Sequence, residues 1–190
     1  MIALTDNTAL IIIDVQDGLD EPRLGTRNNP DAEGNIVRLL AGWRAQGRPI
    51  YYVQHMSTEP NSPLRPDLPG NAIKRIVAPH GAEPVIQKSV NSAFIGTDLE
   101  QRLRAAGIQT VVLVGLVTDH CVSTTARMAG NLGFTTFVVD DATATFERSG
   151  PDGTTYPAEI VHAVELASLH GEFATVVKTD QLLAVAHAAD

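Results

Sequence analysis

The segment TVVLVGLVTDHCV, residues 110–122, decides how the rest of the chain is read. Its first eight residues form an apolar, valine-rich run of the kind buried on both faces of a parallel sheet. The small and polar residues that follow have helix-start character. A strand-to-helix turn is therefore predicted here, and Cys121, the one cysteine of the chain, stands on it.

The flanking sequence repeats this alternation. Strands are predicted at Ala9–Val15, Pro49–Gln54, Pro84–Gln87, Thr110–Val117, Thr135–Val139 and Ala174–Val177, all short runs rich in branched apolar residues. Helices are predicted at Asp31–Gly47, from the capping-box pattern at Thr97–Glu100 to Gly107, at about Asp119–Leu132, at Pro157–His170 and at Thr179–Ala189. Met56–Gly81 has no periodicity and is rich in Pro, Asn and Gly. A loop of this length in a compact domain is usually functional, here a lid or an interface. Thr145–Thr155 also reads as a loop. Strands alternating with helices predict a three-layer α/β/α fold around a mostly parallel six-stranded sheet, with residues 1–190 forming a single domain.

Bulk properties narrow the function. A formal net charge of −8 argues against nucleic acid or an anionic membrane as partner, since both need a basic surface. A single cysteine forms no internal disulfide. No secretory apolar core is read after Met1, and no run reaches the length of a membrane span, so a cytoplasmic location is expected. Neither G-x-G-x-x-G nor a P-loop follows a strand, which disfavours a nucleotide site.

In open parallel sheets the ligand sits beyond the carboxyl ends of the strands. Asp14 ends the first strand, Lys88 the third, and Cys121 follows the fourth. A carboxylate, an ammonium and a thiol on one sheet edge suit nucleophilic catalysis. The ammonium and a helix start favour the thiolate, the carboxylate shuttles a proton, and backbone N–H groups hold an oxyanion. Each residue also has a plain reading. Cys121 alone is a small buried hydrophobe, Asp14 bonds the following loop, and Lys88 lies on the surface. His120 reads as pocket wall or as support for it. His162 and His170 read as surface or interface residues, and Asp140 and Asp141 as turn formers at the end of the fifth strand.

Three segments extend this pattern: LIIIDVQ at 10–16, KSVNSAF at 88–94 with GTDL at 96–99, and GLVTDHCVSTTA at 115–126. With Asp141-Ala142, they make the sequence resemble the isochorismatase-like cysteine hydrolases, a superfamily that includes nicotinamidases, N-carbamoylsarcosine amidase and isochorismatase. The resemblance implies a catalytic triad of Asp14, Lys88 and Cys121. It also implies a cis peptide at Val117–Thr118 and an oxyanion hole from the backbone N–H groups of Thr118 and Cys121. Gln16, Leu19, His55, Phe94 and His120 are candidate substrate-binding residues, and Tyr156 is a further one.

Nicotinamidases of the superfamily carry an Asp-x-His metal motif after the second strand. Here the stretch is Val53-Gln54-His55-Met56-Ser57, and a lone His55 is a poor zinc site. No metal and no cofactor are expected. Vinyl-ether-cleaving members often lack the cysteine, so its presence favours C–N hydrolysis of a small amide, ureide or carbamoyl compound through a thioester. The alternatives are an isochorismatase-type hydrolase of a non-amide substrate and a non-catalytic binding or thiol-sensing protein on the same fold. The resemblance also implies a homo-oligomer.

Overall fold

The computed structural model describes residues 4–187. Met1–Ala3, and Ala188 and Ala189 at the expected end of the last helix, lie outside the described residues. Six strands, β1 (Ala9–Ile13), β2 (Ile50–His55), β3 (Val85–Lys88), β4 (Thr110–Leu116), β5 (Thr135–Ala144) and β8 (Thr175–Val177), form one sheet in the order β3-β2-β1-β4-β5-β8. Every pairing in it is parallel. β6 (Arg148–Ser149) and β7 (Thr155–Tyr156) make a small antiparallel hairpin inside the stretch expected to be a loop.

Strand alternation divides the core between two faces. Ala9, Ile11 and Ile13 of β1 pack with residues of α2 (Leu99–Ala105), α3 (Ser123–Asn131) and α4 (Ala158–Leu169), among them Leu103, Ala126 and Leu169. Leu10 and Ile12 face the other way, onto Ile36, Leu40 and Trp43 of α1 (Ala32–Ala45) and Leu182 of α5 (Thr179–His187). Covering both faces explains why β1 and β4 read as continuous apolar runs rather than alternating ones.

Several expected boundaries move. β5 does not end at Val139. It runs to Ala144 through a register shift against β4 between Leu113 and Gly115, so Asp140 and Asp141 lie within the strand. The Thr97–Glu100 capping box does not close: α2 starts at Leu99, whose N–H donates to Thr97 Oγ1 at 3.3 Å, while Glu100 pairs with Arg104 one turn on. The helix expected from Asp119 is divided into a π-helical turn, Thr118–Val122, and α3. The carbonyl of Val117 accepts from both His120 N–H (3.2 Å) and Val122 N–H (3.3 Å), and the five-residue spacing of the second bond widens the turn.

The order in which strands are added reverses between β1 and β4, the switch point where ligands collect in such folds. Gly115 lies at that seam with φ +121°, and a Cβ on it would stand 2.0 Å from the carbonyl oxygen of Ile13, the residue before Asp14. Gly115→Ala must therefore push β1 and β4 apart at the sheet edge. It is expected to cost about 1–3 kcal/mol for overpacking, with about 1–2 kcal/mol more for the backbone conformation, measured by denaturant unfolding.

The loop between β2 and β3 is fastened to the body by charge as well as by backbone. Glu33 on α1 is chelated by Arg27 (2.6 and 2.7 Å) and by Lys74 of the loop (2.7 Å), and Lys74 also reaches Asp20. Burial alone would raise the Glu33 carboxyl, but these hydrogen bonds outweigh it and hold the group down at about 2. A carboxyl lowered on folding stabilises the native state above its unfolded pKa, and that contribution fades as pH falls from about 4.5 toward 2. Glu33→Gln should therefore unfold more readily than the parent at pH 7, by a few kcal/mol. The gap should close over that acid range in pH-dependent unfolding measurements.

Candidate active site

Parallel register places the ends of β1, β2, β3 and β4 side by side. Ile13 pairs with Val53 and with Gly115, and His55 with Lys88. Asp14 follows β1 in a left-handed conformation, φ 51°, and its N–H donates to the carbonyl of Val53 at 3.0 Å. On β3 the alternation that buries Ile86 buries Lys88 as well. Cys121, half-buried, arrives on the π-helical turn, two residues before α3 begins.

The centre of the site is the Lys88 ammonium. Its Nζ lies 2.6 Å from Asp14 Oδ2, 3.0 Å from His55 Nδ1 and 3.3 Å from Cys121 Sγ. A lysine has three N–H donors, and three acceptors surround this one. The bond from Lys88 gives His55 Nδ1 the acceptor role, which leaves the ring proton on Nε2. Burial first, and the Lys88 charge second, push the His55 imidazolium down to about 4, so the ring is neutral at physiological pH. The second Asp14 oxygen, Oδ1, is buried without a hydrogen-bond partner. Asp14, His55 and Cys121 each bring a ligand-type atom within 4.8 Å of the others, a spacing a metal ion would accept. The Lys88 Nζ is bonded to all three residues.

Burial pushes the Asp14 carboxyl up, opposed by the Lys88 charge and its hydrogen bond. The Cys121 thiol is pushed up as well, first by burial and then by the Asp14 charge, with Lys88 acting against both. Lys88 favours the thiolate, but it does not act alone. Burial and the neighbouring carboxylate prevail, and the thiol rests protonated beside an acceptor.

A cavity of about 170 Å³ opens at this edge, lined by Asp14, Leu19, His55, Ser62, Leu64, Asn91, Leu116, Val117, His120 and Cys121. Leu19, His55 and His120 thus stand on its wall. Gln16 does not: it is fully buried, its Nε2 donates to the carbonyls of Asn71 (2.7 Å) and His55 (3.0 Å), and its Oε1 accepts from the His55 N–H (2.8 Å). The substrate-binding role expected of Gln16 is corrected to a brace that fastens the long loop to the end of β2. Phe94 is likewise absent from the wall and stacks on Phe134, ring centres 5.9 Å apart. Tyr156 lines a separate surface groove.

Thr118 is fully buried and does not line the cavity, whereas Val117 does. The expected backbone pair of Thr118 and Cys121 is corrected on this point. The cis peptide is also one residue earlier than expected, at Leu116–Val117. His162, read as a surface or interface residue, is buried at 6 % exposure against Thr118.

Sequence reasoning missed Ser62, Leu64 and Asn91. Asn91 lies inside the KSVNSAF segment, three residues past Lys88, with its Oδ1 3.9 Å from Sγ. Ser62 and Leu64 come from the aperiodic loop, where no spacing marks them out. That loop walls the cavity of its own chain.

The Isochorismatase domain model matches residues 8–181, and the chain belongs to this family of hydrolases. It is 49% identical over 180 residues to the isochorismatase family protein YrdC of Bacillus subtilis (strain 168), covering 95% of this chain and 96% of that protein. A crystal structure of an isochorismatase-family protein from Chromobacterium violaceum superposes with a TM-score of 0.93 at 43% identity, covering 97% of this chain and 95% of that one. N-carbamoylsarcosine amidase from Thermoplasma acidophilum superposes with a TM-score of 0.72 at 28% identity, covering 92% and 97%.

The resting protonation state has a direct readout. Alkylation of Cys121 by iodoacetamide should be slow at neutral pH and still rising beyond about 8.5, the midpoint of a free cysteine. In Asp14→Asn one charge that holds the thiol protonated is gone, so the neutral-pH rate should increase. A plateau at or below neutral pH in the wild-type protein would contradict this account.

Proposed function

We propose that the protein is a metal-independent cysteine hydrolase that cleaves the C–N bond of a small, uncharged amide, ureide or carbamoyl compound. The carrying observation is the buried Lys88 ammonium bonded at once to Asp14 and to Cys121, two residues that line a cavity. Cys121 is the nucleophile. Asp14 Oδ1 takes its proton as Sγ attacks the carbonyl carbon, and a carboxyl raised by burial is a stronger base for that task. The carbonyl oxygen turns to the backbone N–H groups of Val117 and Cys121, on the cavity wall. The proton on Asp14 then leaves with the amine as the C–N bond breaks. Water gives a proton to Asp14 and attacks the thioester, and Asp14 returns that proton to the departing sulfur.

Lys88 supplies the positive charge in this scheme. It keeps Asp14 anchored and offsets negative charge as it forms on sulfur. Its ammonium, bonded to Asp14, His55 and Cys121 alike, already places a positive charge among the groups a metal would use, which supports a metal-free reaction. Size and wall chemistry support the substrate class. About 170 Å³ is the space of about five or six waters, below the roughly 300–1,000 Å³ of sites for drug-sized ligands. The lining residues include no lysine or arginine that would hold a substrate carboxylate. The amidase among the structural relatives points to the same bond type. An anionic vinyl ether fits these walls less well.

Ammonia release from a panel of small amides, ureides and carbamoyl compounds tests this reading, with Cys121→Ala in parallel and with or without a chelator. At least one neutral compound should be turned over. The activity should fall by about 10³-fold or more in Cys121→Ala and be indifferent to the chelator. Turnover that survives the substitution, or is lost to the chelator, would overturn the nucleophile or the metal-free assignment respectively.

A further inference from the structure

Behind the cavity wall, on the side away from any substrate, a second polar chain runs to the surface. Thr118 Oγ1 lies 2.8 Å from His162 Nδ1, and His162 Nε2 lies 3.0 Å from Asp140 Oδ1. The other Asp140 oxygen bonds Lys178 at 2.6 Å. Asn29 Nδ2 donates to the carbonyls of Asp140 and Thr143, both at 2.8 Å, and so holds the β5 bulge that carries Asp140. The Asp140 carboxyl sits low, at about 2, chiefly through its bond to His162 and with help from Lys178, burial notwithstanding. It is a permanent acceptor, which assigns the ring proton to Nε2 and leaves Nδ1 to accept the Thr118 hydroxyl.

The order of groups resembles a nucleophilic Thr-His-Asp arrangement, but Thr118 is fully buried and no substrate reaches it. Its position gives it another use. It opens the π-helical turn, directly after Val117 and three residues before Cys121. We propose that His162 is a positioning residue: through the Thr118 hydroxyl it fixes the turn that aims the backbone N–H groups of Val117 and Cys121 into the cavity. The inference rests on the nucleophile reading given above.

The physical case is one of rigidity. The bond tying Thr118 to α4 crosses from one element to another, and the far end of the ring is held by β5. Asp119, the next residue, is tied separately to Arg148 and Thr145. The turn is thereby clamped on its buried side while its other side faces the cavity. Donors preset in this way stabilise developing charge without reorganising, and a displacement of about 1 Å costs on the order of 10²-fold. A valine would fill the Thr118 site equally well, so the hydroxyl has value only for its hydrogen bond.

The test uses reversible addition of isobutyraldehyde, which needs no knowledge of the natural substrate. Sγ bonds to the aldehyde carbon, the C=O π bond breaks, and the thiol proton passes by way of Asp14 to the new oxygen, which occupies the place of an oxyanion. Binding is read as protection of Cys121 against iodoacetamide, and the unprotected rate reports the thiol itself. Thr118→Val should weaken aldehyde binding about tenfold or more, each variant's protection being read against its own unprotected rate. Thr118→Ser should restore it. His162→Phe should match Thr118→Val, and the double variant should be no worse than either.

Wild-type affinity in a folded Thr118→Val protein, or failure of Thr118→Ser to restore binding, would overturn the role of His162. If His162→Phe fails to fold, the two Thr118 variants decide the matter. No protection of the wild-type protein would overturn the nucleophile reading, and this inference with it. That outcome shows in the wild-type arm alone, so the two failures are told apart.

Discussion

One ammonium organises the site. Lys88 is carried inward by the alternation of a four-residue strand, and its charge is then removed from water. A buried ion pair gains little net stability, since desolvation consumes most of the attraction, and apolar replacements are often neutral or better. The Lys88–Asp14 pair is therefore poorly explained as a fastening for the fold. It is well explained as a fixed positive charge next to sulfur. With Asp14, His55 and Cys121 all within hydrogen-bond range of Nζ, small movements of any one alter the field at the others.

That arrangement demands close approach of β1 and β4, and the approach is permitted by the absence of a side chain at Gly115. Asp14 and Cys121 leave these two strands at the switch point of the sheet, where the helices depart to opposite faces and leave a crevice. The crevice is closed on one side by the loop that carries Ser62 and Leu64. Gln16 fastens that loop through bonds to the backbone of His55 and Asn71, and the Lys74–Glu33 pair anchors its far end. The cavity on one face of the wall and the hydrogen-bonded polar groups on the other thus meet in a few residues, Val117 to Cys121.

The thiol illustrates how competing effects are weighed. A lysine and the turn before a helix both favour the charged form, yet burial and a carboxylate next door outweigh them. A protonated resting thiol resists adventitious oxidation, because susceptibility follows thiolate character. In the mechanism proposed above, the acceptor for its proton is the unpartnered oxygen of Asp14.

The sequence by itself determined the α/β/α layering, since strand runs and helical spacing are local signals, and the family, since Asp14, Lys88 and Cys121 lie in short characteristic segments. Of its pocket candidates, Leu19, His55 and His120 line the cavity, each within a few residues of a strand end or of the cysteine. It misplaced Gln16 and Phe94, whose spacing says nothing about which way a side chain turns once loops pack over it. Only the tertiary structure decided that Ser62, Leu64 and Asn91 wall the cavity, that the turn before α3 is π-helical, and that His162 lies buried behind it. These features arise from contacts between elements far apart in the chain, through burial and hydrogen-bond geometry that no periodicity encodes.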